Sequence, residues 1–450
     1  MGRSFQWKHQ HTALAVVFTV WIVSYMDRMV MATAIPYIAK EWGLSPVAMG
    51  GVLSAFFAGY FIFQIPGGIL ADKFGARKVM SVAVLWWSGF TALTGLVGSL
   101  GHMLWIRFVF GVGEGVAPAS TWKALANWSP VRKRGVANGI MMASNSLGPA
   151  LAPLFVAAVM AAWGWRAVFY SLLIPGVLLA AWIWRSLPDD PADKRGISPA
   201  ELEEIREDRS QLGTVNTAEA MSFWAILKEP AVWKSFLILL FNNMTGWGFA
   251  QWLPSYLVKA RGFSLAQMGI AASLPFFAGT IGFILGGWLS DVPFKYRRRV
   301  PLIAAQWICA VFLYLTYTAT STGRLVVYQI LVGLFYYIAA GIVFALPMSA
   351  ISKTIAGRAM GIVNTAGQFA GFISPIIIGF LVQLSGAGAR SFDTAFMFLI
   401  ATILLSSVCA MTFTQRKPER SIGPPAPGAA AGESLGSAGV SSSPERSVGR

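Results

Sequence analysis

Apolar residues run along this chain in long blocks, separated by short breaks that carry glycine, proline and charge. A helix that crosses a bilayer needs roughly 20 mostly apolar residues, and about twelve blocks qualify. Their limits are 12–34, 47–71, 78–100, 103–126, 135–162, 167–187, 232–257, 266–290, 300–321, 324–348, 358–385 and 392–414. The first block is too long and too polar at its centre for a secretory signal, and no small-residue cleavage site follows it, so it counts as span 1. The pattern predicts an all-α membrane protein of twelve transmembrane helices. Residues 1–187 and 232–416 form two six-helix halves, 188–231 is a cytoplasmic linker, and 417–450 is a disordered cytoplasmic tail.

Composition agrees with the pattern. Of 450 residues, 56% are hydrophobic and only 12% are charged, against about 25% charged in ordinary soluble domains. The net charge of +16 would suggest nucleic acid in a soluble chain. Here the basic residues cluster in alternate loops: Lys73, Arg77 and Lys78; Arg132, Lys133 and Arg134; Lys295 and Arg297 to Arg299; Lys353 and Arg358. The intervening loops carry few, so the positive-inside rule puts both termini and the linker in the cytoplasm, and no nucleic-acid partner is expected. Cys309 and Cys409 both lie in apolar runs, and none of His9, His11 and His102 is mid-span, so neither a disulfide framework nor a metal site is expected.

The linker holds ten of the nineteen acidic residues. Within it, Ser198-Pro199-Ala200-Glu201 reads as a capping box that opens a short polar helix over 199–210. Neither linker nor tail carries a functional motif.

The halves repeat each other. Gly111 maps to Gly333, Gly139-Ile140 to Gly361-Ile362 and Pro153 to Pro375, each at an offset of 222. Gly68-Ile-Leu-Ala-Asp72 maps to Gly287-Trp-Leu-Ser-Asp291 at 219, and Pro36 to Pro254 at 218. Duplicated halves of six spans are a transporter pattern, with the substrate near the midplane between them.

Gly68-Ile69-Leu70-Ala71-Asp72-Lys73-Phe74-Gly75-Ala76-Arg77-Lys78 resembles the loop 2–3 signature of the major facilitator superfamily. Arg107-Phe-Val-Phe-Gly111-Val-Gly113-Glu114-Gly115 with Pro118 resembles the helix 4 signature of its anion:cation symporter family. Asn127-Trp128-Ser129-Pro130 and Arg134 to Asn138 extend the likeness, with Lys133 where relatives often have Glu, and Tyr25-Met26-Asp27-Arg28 completes it. The resemblance covers about residues 10–415 and implies the major facilitator fold in a bacterial inner membrane. It also implies proton-coupled uptake of a small organic anion, with no cofactor beyond the proton, by a protein that works as a monomer.

Asp27 and Glu114 are the only carboxylates deep in spans, and Arg28 and Arg107 the only deep cations. A charge at the bilayer centre costs at least ~2.5–3.5 kcal/mol, so four together require a reason. Arg107 and Glu114 are seven residues apart and share a helix face at a separation of roughly 10 Å. Asp27 and Arg28 point about 100° apart. We expect Asp27 to pair with Arg107, with Glu114 nearby, leaving Arg28 free for a ligand carboxylate. Carboxylates beside guanidinium groups in a partly dry cavity gain or lose a proton with occupancy, which makes Asp27, Glu114 and Arg107 candidates for proton coupling. A static cluster fixing helix 1 against helix 4 is the competing reading.

By resemblance to sugar-acid symporters, Tyr25, Arg28, Tyr60, Asn145 and Asn364 fall where a cavity wall is expected, Asn145 replacing a Gln found in some relatives. Gln368 lies one helical turn from Asn364, as Gln64 does from Tyr60; Asn242 and Asn243 lie on helix 7. Such groups suit hydroxyl recognition and equally serve as interhelical bonds. Asp72, Arg77, Arg134 and Asp291 read as a conformational latch, with Asp72 accepting from a helix N-terminus or from Arg134 when the cytoplasmic side is closed. The aromatic excess is expected at lipid-facing and interfacial positions.

The favoured reading is a symporter of a sugar acid (an aldonate, hexuronate or aldarate), with an aromatic or dicarboxylic acid as the competitor. An organic-phosphate exchanger would be expected to use a second-half arginine, but Gln329 stands opposite Arg107 in the repeat. Arg28 disfavours export of cationic drugs. An embedded enzyme lacks a nucleophile or metal constellation, and a non-transporting sensor would not need both carboxylates.

Overall fold

The computed structural model describes residues 7–210, 226, 228–348, 356–386, 388 and 390–413. The predicted tail and linker residues 211–225 lie outside them. The first half contains α1 (His9–Trp42), α2 (Pro46–Phe74), α3 (Ala76–Thr94), α4 (Leu100–Trp128), α5 (Arg134–Ser171) and α6 (Leu173–Ser186). The short polar α7 (Pro199–Ser210) follows. The second half contains α8 (Pro230–Lys259), α9 (Leu265–Asp291), α10 (Arg299–Thr318), α11 (Thr322–Val343), α12 (Ala356–Leu384) and α13 (Asp393–Met411).

Local chemistry sets these limits. Ser45, Ser99, Ser264 and Ser321 cap α2, α4, α9 and α11 by accepting from a backbone N–H three residues on. Gly43, at φ +65°, ends α1 in the left-handed region that a glycine adopts without strain. Several helices outrun their apolar blocks. The first was expected over 12–34 but has 34 residues, about 51 Å at 1.5 Å per residue, so its ends rise through the headgroup zone. Between the fifth and sixth spans the backbone leaves the helix at Gly164, φ +78°.

The repeat is written into the packing. A Cβ on Gly67 would strike the backbone of Val116, and one on Gly286 the backbone of Ile338. Likewise Gly111 abuts the Phe56 carbonyl and Gly333 the Pro275 carbonyl. Each second-half pair is the first-half pair shifted by 219 on one helix and 222 on the other. The crossings of α2 with α4 and of α9 with α11 therefore share one construction: glycine lets two backbones touch, and dispersion supplies the attraction that lipid-immersed helices cannot get from water.

The same operator joins the halves. Gly50 of α2 sits on Pro375 of α12, and Gly269 of α9 sits on Pro153 of α5. Both contacts lie at the helix ends remote from the basic loops, and there they seal the molecule.

The linker is structural rather than idle. Ser198 caps α7 through Glu201 N–H (3.2 Å), but the expected reciprocal bond of a capping box is replaced. The buried Glu201 carboxylate instead accepts from Gln10 N–H of α1 (2.8 Å). Asp189 similarly accepts from Arg77 N–H (3.0 Å) at the start of α3, where Gly75 offers no capping side chain. A Cβ on Gly75 would collide with that carboxylate. Glu204 meets Lys133 at 2.6 Å and Lys8 at 2.8 Å. These two lysines hold the Glu204 carboxyl down to about 2.

Gly111→Ala is expected to abolish a monodisperse gel-filtration peak in detergent, whereas Gly89→Ala, which faces open space, leaves it intact or raises the melting temperature. Equal behaviour of the two would refute the backbone-contact account. The Glu204 clasp stabilises the fold fully above the ordinary carboxylate range and loses its effect as pH falls toward about 2. Glu204→Gln should thus lower Tm at neutral pH, with the gap to wild type closing on acidification; a gap independent of pH would count against the clasp.

Candidate functional site

A cavity of about 810 Å³ lies between the halves. It runs from the seal toward the basic-loop face, reaching Gln64 on α2, Asn138 on α5, Phe283 on α9 and Gly361 on α12. One wall presents Tyr25, Tyr60 and Asn145 from the first half. The other presents Asn242, Asn243, Asn364 and Gln368 from the second. Five of the six residues expected to bind substrate thus share one space: Tyr25, Tyr60, Asn145, Asn364 and Gln368. Arg28 is set back from it. Its guanidinium carbon lies 4.8 Å from the Tyr25 ring centroid and 4.7 Å from that of Tyr60, so two aromatic faces stand over the cation.

Behind those rings the charges are arranged differently from expectation. Arg28 Nε donates to Glu114 Oε2 at 2.6 Å, and Ser24 Oγ donates to the same oxygen at 3.1 Å. Arg28 Nη2 also donates to Ser24 Oγ at 3.2 Å, one helical turn back. The expected Asp27–Arg107 pair is not made. Neither Asp27 oxygen has a hydrogen-bond partner, and neither do Arg107 Nε and Nη1 or Glu114 Oε1. Arg107 instead lies over the Phe110 ring, 4.4 Å from its centroid. The adjacency of Asp27 and Arg28 explains the outcome. Their side chains leave α1 about 100° apart, and Ser24 directs the longer one toward α4, where Glu114 takes it. Arg28 is consequently engaged and not free.

All four charged side chains are about 1–2% exposed. Buried polar atoms are normally satisfied, and an unpaired buried charge is costly. Five unsatisfied atoms on three of these residues make the cluster costly to bury.

The latch residues bond within their own halves. Asp72 is 82% exposed and accepts from Lys123 Nζ at 3.0 Å, not from Arg134, which donates to the carbonyls of Ala126 (2.9 Å) and Ser129 (3.4 Å). Arg77 stacks over Trp184, 4.3 Å from its ring centroid. Asp291 accepts from Arg298 at 3.1 Å. Here too the repeat shows. Lys123 Nζ also caps the Ala71 carbonyl (3.0 Å), and Arg298 Nε caps that of Ser290 (3.3 Å), its equivalent 219 residues on. In both halves a cation closes the helix end beside the aspartate, although it comes from a different element, which is why residue matching did not reveal Lys123.

Sequence reasoning also missed Ser24, whose spacing of four from Arg28 was the available signal. It placed most of the Trp and Phe excess at lipid-facing or interfacial positions and named only Tyr25 and Tyr60 in the cavity, whose wall also includes Trp21, Trp247, Tyr336 and Tyr337. Nothing in their local sequence separates them from belt residues.

The Major Facilitator Superfamily model matches residues 17–375 and 295–444. The chain is 33% identical over 416 residues to the probable sulfoacetate transporter SauU of Cupriavidus necator, covering 90% of this chain and 94% of that one. It is 30% identical to the probable galactarate/D-glucarate transporter GarP of Escherichia coli, covering 89% and 93%. It is 27% identical to the hexuronate transporter of Bacillus subtilis, covering 91% and 95%. Among solved structures, a bacterial homolog to the human lysosomal transporter Spinster superposes with a TM-score of 0.76 at 18% identity, over 92% of this chain and all of that one. The twelve helices in two halves, the cavity between them and the family match over most of the chain identify a multi-pass membrane transporter, not an enzyme, that belongs to the major facilitator superfamily.

Proposed function

We propose that the protein is a proton-coupled symporter that imports a sugar acid, an aldonate, hexuronate or aldarate, by alternating access. It works as a monomer in a bacterial inner membrane, with both termini in the cytoplasm and the proton as its coupling ion. On this orientation the cavity faces inward. The observation that carries the reading is the Arg28–Glu114 pair held immediately behind Tyr25 and Tyr60.

The coupling follows from charge balance. A solute carboxylate that reaches Arg28 competes with Glu114 for the same guanidinium donors. When Arg28 turns to the solute, Glu114 is left as a buried, unpaired carboxylate, a loss of about 3–5 kcal/mol unless it takes a proton. Anion and proton therefore load together, and departure of the anion lets Arg28 return and Glu114 release its proton. Asp27, buried beside Arg107 and Trp87 without an ion pair, is the second proton site in this scheme. Asp72, Arg77, Arg134 and Asp291 act at the cytoplasmic face when it closes.

The relatives support the solute class: their names cover sulfoacetate, galactarate, D-glucarate and hexuronates. The cavity wall carries four amides of the second half and no charged side chain among the described residues, which suits hydroxyl groups better than a second obligatory anion. Sulfoacetate, small and doubly acidic, is the alternative that the 33% identical relative favours.

The test is uptake by proteoliposomes with an inward proton gradient, over a panel of galactonate, glucuronate, D-glucarate, sulfoacetate, phthalate and glycerol 3-phosphate. Wild type should accumulate a sugar acid faster as external pH falls. Glu114→Gln should keep solute counterflow but lose gradient-driven accumulation, and Arg28→Ala should lose both. Accumulation indifferent to the gradient, or uptake of glycerol 3-phosphate alone, would defeat the proposal.

A further inference from the structure

Asn242 on α8 belongs to the second-half lining of the cavity but is only 1% exposed, and behind it Gln306 of α10 is completely buried. Gln306 Nε2 donates to Ser406 Oγ of α13 at 2.8 Å and to Asn242 Oδ1 at 3.2 Å. The polarity of this chain is fixed from one end. The Ser406 hydroxyl donates to the main-chain carbonyl of Ile238 at 2.9 Å, and a carbonyl can only accept. Ser406 Oγ must then accept from Gln306, so the group facing it is the amide NH₂. The same NH₂ faces Asn242, whose nearest atom must be its carbonyl oxygen. The Asn242 NH₂ is thereby turned out of the network, and it has no acceptor among the described residues. The arrangement leaves Gln306 Oε1 buried without a partner, a cost that an aliphatic side chain of similar volume would avoid.

We infer that Gln306 is a positioning residue that locks Asn242 as a hydrogen-bond donor toward the solute. The second-half wall then selects molecules with an oxygen acceptor, a hydroxyl or a second acid group, on the end that faces it. Acids whose far end is apolar are selected against, because the oriented NH₂ would be left unpaired. This inference rests on the organic-anion reading above and narrows it to acids that carry oxygen at both ends.

The experiment measures initial uptake rates of labelled D-galactonate and D-glucarate by proteoliposomes for Gln306→Leu, Asn242→Ala and the double variant. Each single change should raise KM about tenfold with Vmax held within about twofold. In the Asn242→Ala background, Gln306→Leu should add nothing, since its effect passes through Asn242. Equal KM losses for both solutes assign the acceptor to a hydroxyl, and a larger loss for D-glucarate assigns it to the second carboxylate. Gln329→Leu provides the control: that glutamine is equally buried, donates to Ala271 O and has its own unpartnered oxygen, yet it should leave KM unchanged. If Gln306→Leu does not fold, Ser406→Ala unlocks the same relay and should raise KM about threefold. Additive losses, or a fall in Vmax at constant KM, would overturn the inference alone. No uptake of either acid by wild type would overturn the reading beneath it, and the inference with it.

Discussion

A charge buried in a lipid-embedded protein is costly without a partner, and the proposed mechanism gives one guanidinium two claimants. Arg28 is held by Glu114 and Ser24 and covered by two tyrosine rings. Those rings are also the cavity wall. Any anion strong enough to draw Arg28 forward must release Glu114, and a released carboxylate at that depth is tolerated only as the acid. The low dielectric that makes the pair expensive to assemble also makes its two states well separated. Coupling in this scheme requires no relay across the protein, only competition for one cation.

The proposed alternating access would need the halves to be rigid, and glycine contacts tie helix pairs within each half together. Backbone contacts at Gly67, Gly111, Gly286 and Gly333 fasten α2 to α4 and α9 to α11. Contacts of the same kind at Gly50 and Gly269 join the halves only at the sealed end. The same end also buries side chains from both halves, Ile35, Leu53 and Val156 with Trp252, Leu253 and Met268 in one apolar cluster, so opening it would expose part of a core. The linker reinforces the division. Asp189 and Glu201 cap α3 and α1, and Glu204 clasps Lys8 and Lys133, all within the first half.

Both walls carry amides, Gln64, Asn138 and Asn145 on the first half and Asn242, Asn243, Asn364 and Gln368 on the second, but among the described residues only the first half has buried charge, set behind Tyr25 and Tyr60. In the repeat, Gln329 stands where the first half has Arg107, and it is spent on the Ala271 carbonyl. On the proposed function, the charge on α1 alone would turn the acid end of a solute toward the first half.

Much of this was legible in the chain itself. Twelve apolar blocks, alternating basic loops and a glycine-marked repeat determine the span number and the duplicated halves, because the bilayer sets helix length and repeated glycines set helix contact. Counting the acids determined that Asp27 and Glu114 are alone at depth, since no other carboxylate falls mid-span. The local pattern could not decide which of two adjacent residues on α1 takes which partner on α4: a difference of about 100° in direction and one serine settled it as Arg28 with Glu114. Nor could it separate a tryptophan facing lipid from Trp247 facing the cavity, because lipid and a protein interior are equally apolar environments. The caps that Asp189 and Glu201 supply, the Lys123 contact with Asp72 and the polarity of the Gln306 amide are likewise products of tertiary structure. Each is a hydrogen bond between segments far apart in the chain, and only the packed bundle brings its two ends together.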